Sequence, residues 1–212
     1  MSQKIVVLIS GSGSNLQAII DAVSAGQING QICAVISNRP DAYGLTRAAD
    51  AGIESLVLDH REFESREAYD DALMKKIDAF SPDLVVLAGF MRILTPSLVQ
   101  NYLGRMLNIH PSLLPKYQGL NTHQRAIDAK DKEHGVSVHF VTEELDGGPV
   151  VLQAKVDIHP DDTAQALAER VHKQEHVIYP LVVQWFCEQR LTMDKDNAVL
   201  DGKVLPKQGA NL

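Results

Sequence analysis

The sequence predicts an α/β fold in one domain, with a mostly parallel sheet flanked by helices and an antiparallel section after it. Three observations support this. Short apolar runs rich in Val, Ile and Leu, typical of strands buried on both faces, alternate with segments of helical apolar spacing. An alternating segment and a further apolar run flank an Asp-Gly-Gly-Pro turn, as in an antiparallel pair. The length of 212 residues suits one large α/β domain or two small ones.

The first half of the chain reads as repeated strand-then-helix units. Continuous β-branched runs indicate buried strands, and apolar residues at spacings of three and four indicate the helices between them. Strands are predicted at 5–9, 32–36, 55–58 and 84–89, and helices after the glycine-rich turn at 11–15 and over 43–51 and 65–80.

The second half is predicted to end in antiparallel structure. The segment 91–98 is predicted to start a turn and a short helix, with Pro96 suited to its first turn. A fifth strand ends where Pro111 removes a backbone donor. The strand over 136–141 alternates and is expected to be half-exposed. The remaining predicted elements are a loop at 112–122, a helix at 123–129, a strand at 150–156, one long helix at 163–188 and a hairpin turn at 201–202.

Charge and composition exclude several classes of function. Twenty basic and 27 acidic residues give a net charge of −7 without a basic block, so nucleic-acid binding has no electrostatic support. Cys33 and Cys187 lie far apart in apolar segments, which indicates free thiols in a reducing compartment. No secretion signal and no membrane-spanning run are recognised. The chain is expected to be cytoplasmic, a monomer or homodimer, with no membrane partner.

Asn108 and His110 are candidate catalytic residues. They lie two apart at the end of the fifth predicted strand, so both side chains point to the same face. In an open parallel sheet, ligands bind at this carboxyl end of the strands. The competing interpretation is that both residues only cap the strand and satisfy the backbone of the following turn.

The glycine-rich turn at 11–15 is predicted to bind one phosphate group. It joins a strand to a helix, where free backbone donors and the helix dipole attract an anion. Leu16 occupies the place of the third glycine of a dinucleotide fingerprint, and the Gly-Lys-Ser/Thr end of an ATP-binding loop is absent. The alternative is an ordinary turn in which Ser14 or Asn15 caps the helix.

Asp146 is a candidate partner of His110. Gly147 and Gly148 give its turn backbone freedom that could bring the carboxylate back toward the imidazole. A carboxylate beside an imidazole favours its charged form and fixes which nitrogen donates. The alternative is an Asp-Gly turn that caps its own backbone.

The other histidines do not predict a metal site. His123, His134 and His139 have no zinc-ligand spacing with His110, and both cysteines are distant. His172 and His176 are four apart on the long helix but lack the Glu of a His-Glu-x-x-His motif.

Four motifs together resemble the folate-dependent phosphoribosylglycinamide formyltransferases of purine biosynthesis, and the resemblance runs essentially end to end. The motifs are SGSGSNL at 10–16, LAGFMRIL at 87–94, NIHPSLLP at 108–115 and LDGGP at 145–149. The third and fourth are shared with other formyltetrahydrofolate enzymes. The resemblance implies one Rossmann-like formyltransferase domain over 1–212. It has a nucleotide-binding half at 1–100, a folate-binding and catalytic half at 101–190, and a tail at 191–212.

The resemblance also implies the reaction and the residue roles. The amine of glycinamide ribonucleotide attacks the formyl carbon of 10-formyltetrahydrofolate, without metal or ATP. Asn108 matches the residue that donates to the oxyanion, and His110 the acid that shares this role and shuttles a proton. Asp146 matches the residue that holds and charges the imidazole.

The binding residues follow from the same resemblance. Those matching the phosphate and ribose site are Gly13, Ser14, Asn15, Leu16, Gln17 and Glu175. Those matching the folate pocket are Arg66 near the glutamate tail, Met91, Arg92, Ile93, Leu94, Val99, Asn108, Thr142, Glu143, Glu144, Leu145 and Asp146.

Three positions depart from the family pattern. Relatives often carry Pro and His where Gln118 and Asn121 stand, and a Gln is expected near the ribose at His172. A methionyl-tRNA formyltransferase is expected to have a further C-terminal domain and a basic surface, and a deformylase an additional N-terminal domain. A non-catalytic nucleotide- or folate-binding module would need the glycine turn but not the three catalytic candidates together.

Overall fold

The computed structural model describes residues 2–211. The described chain contains eleven strands and six α-helices, with a 3₁₀ turn at His60–Glu62. The elements are β1 Gln3–Ile9, α1 Ser14–Ser24, β2 Gly30–Ser37, α2 Gly44–Asp50, β3 Ser55–Val57, α3 Arg66–Asp78, β4 Leu84–Leu87, α4 Pro96–Asn101, β5 Met106–His110, α5 Thr122–Asp128, β6 Glu133–Phe140, β7 Val150–Asp157, α6 Ala164–Cys187, β8 Leu191–Asp194, β9 Asn197–Leu200, β10 Lys203–Val204 and β11 Ala210–Asn211.

The strands form a central eight-stranded sheet in the order β11-β7-β6-β5-β4-β1-β2-β3 and a small sheet in the order β10-β9-β8. The predicted α/β class, with a mostly parallel sheet and an antiparallel C-terminal section, is confirmed. The chain divides into two compact units, Met1–Asn108 and Ile109–Leu212. The division of binding tasks between halves of one domain stays a prediction.

In the first unit, β1 pairs in parallel with β2 and with β4, β2 pairs with β3, and β4 pairs with β5. The apolar run of β1 from Ile5 to Ile9 is fully buried, as a strand covered on both faces requires. The carboxyl ends of these parallel strands carry the glycine-rich turn, the segment after β4 and Asn108.

In the second unit, β6 and β7 form an antiparallel pair, and β11 adds in parallel to β7. Helix α6 packs on both strands of the pair. The predicted hairpin at 201–202 is present between β9 and β10. The short strands β8 and β11 were not predicted, because four or two residues carry too little periodicity to recognise.

The prediction that β6 is half-exposed was wrong. All of its residues from His134 to Phe140 are buried. Helix α6 packs on the strand, and a polar network occupies its Ser137 position: the hydroxyl donates to the carbonyl of Ser112 at 2.6 Å and accepts from the N–H of Leu114 at 3.0 Å. The polar positions of the alternation are therefore satisfied by internal hydrogen bonds rather than by water.

Among residues 2–211, no helix combines the length and the apolar character that crossing a bilayer requires.

Gly135 of β6 is expected to tolerate no side chain. A Cβ there would lie 2.1 Å from the carbonyl oxygen of Ala154 on β7 and 2.8 Å from Cδ2 of Leu113. We expect Gly135→Ala to lower the free energy of unfolding by about 3 kcal/mol, because the paired strands must separate. Gly26→Ala is the control: its φ is +71° but its Cβ would meet nothing within 4 Å, so the loss should be about 1 kcal/mol. Urea denaturation measures both, and equal losses would contradict the packing argument.

Candidate active site

Strand β5 carries both Asn108 and His110. Its pairing with β4 places Asn108 opposite Leu87, at the carboxyl end of β4. The strand ends at His110, directly before Pro111. The His110 residue is only 6% exposed, so its ring nitrogens depend on protein groups for hydrogen bonds.

Both ring nitrogens of His110 face oxygen atoms of the second unit. Nδ1 lies 3.5 Å from Oδ2 of Asp146, and both side chains are at most 10% exposed. Nε2 lies 2.9 Å from the carbonyl oxygen of Tyr117. A carbonyl only accepts, so Nε2 carries the hydrogen and donates. Nδ1 is the ring nitrogen that faces the carboxylate.

The turn that carries Asp146 is held in an unusual backbone conformation. Asp146 has φ +50°, in the left-handed region that non-glycine residues seldom occupy. The N–H of Gly119 donates to Oδ2 of Asp146 at 2.9 Å, and the N–H of Gly147 donates to the carbonyl of Glu144 at 3.1 Å. A Cβ on Gly148 would lie 1.9 Å from the carbonyl oxygen of Phe140. Gly148 is therefore required by its close approach to the end of β6.

The loop before α5 reaches both His110 and Asp146 through its backbone, and its own side chains anchor it. The hydroxyl of Tyr117 donates to Asp131 at 2.8 Å, and Lys116 pairs with the same carboxylate at 2.9 Å. The guanidinium of Arg125 lies over the Tyr117 ring at 5.2 Å and donates to the carbonyl of Gln118 at 2.7 Å. The contact of Tyr117 with His110 was not predicted from the sequence. It is made by a backbone carbonyl, which every residue type has.

His139 is the second imidazole beside Asp146. Its Nε2 lies 3.8 Å from Oδ1 of the carboxylate, while Nδ1 contacts the carbonyl of Phe140 at 2.8 Å. Burial lowers the pKa of His139, against the opposing influence of the Phe140 carbonyl and the Asp146 charge. Sequence reasoning considered His139 only as a metal ligand and not as a neighbour of Asp146.

His123 and His134 form a pair of their own. Nδ1 of His123 lies 3.1 Å from Nε2 of His134, with the rings at 84° to each other. Burial, strengthened by the neighbouring imidazole, lowers the pKa of His123 to about 4, and burial also lowers the pKa of His134. No group of three His, Cys, Asp or Glu side chains that could hold a metal ion occurs within residues 2–211.

The glycine-rich turn belongs to the first unit. Gly13 has φ +70°, and a Cβ there would lie 2.6 Å from Cα of Gly44. Gly13 is also the N-cap of α1, and no side chain caps that helix. The alternative in which Ser14 or Asn15 caps α1 was therefore wrong. Ser14, Asn15, Leu16 and Gln17 form the first turn of α1, and the N–H of Gln17 donates to the carbonyl of Gly13 at 2.9 Å.

Arg47 of α2 is a cation beside this turn that sequence reasoning missed. Its Nε donates to the carbonyl of Ser12 at 2.8 Å, and its Nη1 donates to the side chain of Gln17 at 3.2 Å. The guanidinium also lies 4.9 Å from the ring centroid of Tyr43. The sequence predicted a helix at this position, but it did not show that the Arg47 side chain points toward the glycine-rich turn.

The segment 91–94, between β4 and α4, exposes apolar side chains. Met91 is 66% exposed and Ile93 is 56% exposed, whereas Arg92 stacks on the buried ring of Tyr69 at 4.4 Å. Within the described part of the chain, no hydrogen bond engages the backbone of Arg92, Ile93 or Leu94. The segment therefore offers apolar contact area together with backbone donors and acceptors.

The remaining predicted binding residues lie on several elements. In the first unit, Arg66 begins α3 at the surface and Val99 is buried in α4. In the second unit, Glu175 is buried in α6, and the segment 142–146 follows β6, with Leu145 50% exposed.

The comparisons with known proteins agree on one family. Residues 3–183 match the formyl transferase family. The chain belongs to this family.

Relatives of this formyl transferase carry a more specific name. The chain is 60% identical over 205 residues to the phosphoribosylglycinamide formyltransferase of Escherichia coli, covering 97% of both chains, and 55% identical to that of Haemophilus influenzae, covering 98% of both. The structure of the phosphoribosylglycinamide formyltransferase from Coxiella burnetii superposes with a TM-score of 0.95 at 54% identity, covering 100% of this chain and 99% of the other.

The histidine pair of this formyl transferase predicts a pH-dependent stability. The lowered pKa of His123 means that its neutral form is favoured in the folded chain. Between the ordinary value of 6.5 and about 4 the unfolded chain therefore binds more protons, and stability falls as the pH drops through that window. We expect His123→Gln to make this dependence shallower by up to about one proton.

Urea midpoints between pH 7 and pH 4 measure that slope. His159→Gln, at an exposed position on the surface, is the matched histidine control. An unchanged slope in the His123 variant would contradict the assignment.

Proposed function

We propose that this formyl transferase moves the formyl group of 10-formyltetrahydrofolate to the amine of glycinamide ribonucleotide, in purine biosynthesis. The observation that carries the proposal is the near full-length identity of 60% and 55% to two relatives named for this activity. The His110–Asp146 contact supports it, because it places an imidazole and a carboxylate within 3.5 Å of each other at the end of a sheet strand. The two free cysteines fit a reducing cytoplasm.

The reaction needs oxyanion stabilisation and one proton transfer. The amine nitrogen attacks the formyl carbon and forms a C–N bond, and the carbonyl oxygen becomes an oxyanion. Collapse of this tetrahedral centre breaks the bond between the carbon and N10 of the folate. The amine loses one proton and N10 gains one, so the net charge does not change.

Asn108, His110 and Asp146 supply these functions in the proposal. The carboxamide of Asn108 donates to the oxyanion, and an oxyanion donor is worth about 10²–10³ in rate. His110 donates beside it and carries the proton, a contribution of about 10²–10⁴. Asp146 orients the ring and stabilises its protonated form, as the 3.5 Å contact allows.

The present contacts of His110 constrain how it acts. Nε2 donates to the carbonyl of Tyr117 at 2.9 Å, and Nδ1 faces Asp146. An oxyanion that takes a hydrogen bond from the ring must replace one of these acceptors. Because the Asp146 carboxylate holds the ring, the carbonyl of Tyr117 is the acceptor that the oxyanion would replace at Nε2.

The glycine-rich turn binds the phosphate of the nucleotide in the proposal. Gly13 brings the backbone close without a side chain, and the uncapped first turn of α1 presents N–H groups and the positive end of the helix dipole. Arg47 adds a cation next to Ser12 and Gln17. Glu175 is proposed to contact the ribose, as the resemblance implies.

The segment 91–94 binds the folate in the proposal, with Arg66, Val99, Asn108 and residues 142–146. A flat pterin needs contact area on its faces and hydrogen bonds along its edges. The exposed Met91 and Ile93 supply the first, and the unengaged backbone of 92–94 supplies the second.

The assay that tests the function mixes purified protein with both substrates, without ATP or metal, and follows folate deformylation spectroscopically. We expect deformylation only when the nucleotide is present. Deformylation of equal rate without nucleotide would indicate a hydrolase instead.

His110→Ala and Asp146→Asn should each lower kcat by about 10²–10⁴-fold while nucleotide binding persists. Asp146→Asn keeps an oxygen for the N–H of Gly119 and removes only the charge.

Asp128→Asn is the matched carboxylate control, since Asp128 only accepts from Gln124 on the exposed side of α5. It should retain full activity. Full activity in either catalytic variant would refute the role of that residue.

The phosphate site is tested with a truncated ligand. We expect glycinamide riboside, which lacks the phosphate, to bind at least about 100-fold more weakly, because two or more charge-assisted hydrogen bonds of about 1.5–3 kcal/mol each are lost. Arg47→Ala should weaken the nucleotide more than the riboside. Calorimetry of both ligands with both proteins gives the coupling between Arg47 and the phosphate. Equal weakening of the two ligands would remove Arg47 from the phosphate site.

A further inference from the structure

The segment 91–94 is attached at its first residue through a buried serine. The N–H of Met91 donates to Oγ of Ser10 at 2.8 Å, across 81 positions of sequence. Ser10 is 5% exposed, and its hydroxyl donates in turn to Oδ1 of Asn38, at 2.6 Å. Asn38 is 3% exposed and its side-chain nitrogen contacts Nδ1 of His60 at 3.2 Å. The position of Met91 is therefore tied to the ends of β1 and β2.

The same segment is attached directly after its last residue by a buried carboxylate. The N–H of Thr95 donates to Oδ2 of Asp70 at 2.6 Å. Asp70 lies on α3 and is fully buried, and Thr95 is 4% exposed. Thr95 also caps α4 by accepting from the N–H of Leu98. Asp70 thus fixes the point at which the segment turns into α4.

The burial of Asp70 is costly for the fold. Its second oxygen, Oδ1, is buried without a hydrogen-bond partner among the described residues, as are the hydroxyl of Tyr69 and Nε of Arg92. Within residues 2–211, no Lys or Arg forms an ion pair with Asp70. A buried polar atom without a hydrogen-bond partner destabilises a protein by about 1–3 kcal/mol. An apolar side chain at position 70 would pack α3 without this cost.

We propose that Asp70 and Ser10 are positioning residues that hold the folate-binding segment 91–94 open for the pterin. The inference rests on the proposed function. Between the two anchors, four residues span a short gap without internal hydrogen bonds, so the anchors decide the direction of the exposed side chains of Met91 and Ile93. Neither anchor touches the reacting atoms. Their loss should change folate binding and leave the chemical step intact once both substrates are bound.

Kinetics and binding separate this role from a structural one. We expect Asp70→Ala and Ser10→Ala each to raise KM for 10-formyltetrahydrofolate about tenfold, since one buried hydrogen bond is lost. The same variants should leave kcat and the Kd of glycinamide ribonucleotide within about twofold. The Kd of tetrahydrofolate, measured by calorimetry, should rise in parallel with KM. The double variant should weaken folate less than the product of the two single effects, because both anchors restrain one segment.

Two variants serve as matched comparisons. Asp70→Asn keeps an oxygen that can accept from Thr95, so it should restore most of the folate affinity and also tests the proposal if Asp70→Ala does not fold. Asp83→Ala removes a bond of the same type, in which the N–H of Lys4 donates to the carboxylate at 2.7 Å, at the amino ends of β1 and β4. It should not change folate binding.

Hydrogen exchange tests the two anchoring hydrogen bonds in the absence of any ligand. The N–H groups of Met91 and Thr95 should exchange faster in Ser10→Ala and Asp70→Ala respectively, and not in Asp83→Ala. Unchanged exchange, or faster exchange with unchanged affinity for tetrahydrofolate, would overturn the positioning role and leave the proposed function standing. A fall in kcat with unchanged KM would also overturn it. If the unaltered protein binds no tetrahydrofolate, the proposed function itself fails, which is a separate outcome.

Discussion

The burial of the Asp146 carboxylate is the constraint around which the second unit is arranged. A carboxylate that is only 10% exposed needs donors on its protein side. It receives the N–H of Gly119 at 2.9 Å and faces imidazole nitrogens of His110 and His139 at 3.5 and 3.8 Å. The loop before α5, the end of β5 and the end of β6 each contribute one of these groups. The Asp146 carboxylate therefore brings His110, His139 and Gly119 together.

Backbone geometry makes this arrangement possible. Asp146 adopts a left-handed conformation, and Gly148 passes so close to the carbonyl of Phe140 that no side chain fits. Strained conformations of this kind persist only where surrounding contacts enforce them. The Tyr117 carbonyl at Nε2 of His110 completes the set and fixes which ring nitrogen carries the hydrogen. The turn and the loop together thus set the contacts of the His110 ring.

Ser10 plays a comparable part in the first unit. It directly precedes the glycine-rich turn, and its hydroxyl holds the N–H of Met91. The segment proposed for folate is thereby attached to the residue directly before the turn proposed for phosphate. Asp70 holds the other end of that segment. Both anchors are polar groups below 6% exposure, so their hydrogen bonds are not exchanged with water and the attachment is stiff.

The sequence by itself determined the α/β class and the order of the main elements, and it predicted the catalytic candidates. Continuous apolar runs can be satisfied only by strands covered on both faces, and glycines, prolines and caps end elements locally. It did not determine the burial of β6, because a polar alternation looks the same whether water or Ser112 and Leu114 satisfy it. Three contacts were decided only by the tertiary structure. Arg47 lies beside the glycine turn, the carbonyl of Tyr117 accepts from Nε2 of His110, and Asp70 accepts from the N–H of Thr95. Each of these contacts joins residues from different elements and depends on the direction in which a side chain or a backbone carbonyl points. No spacing along the chain encodes that direction.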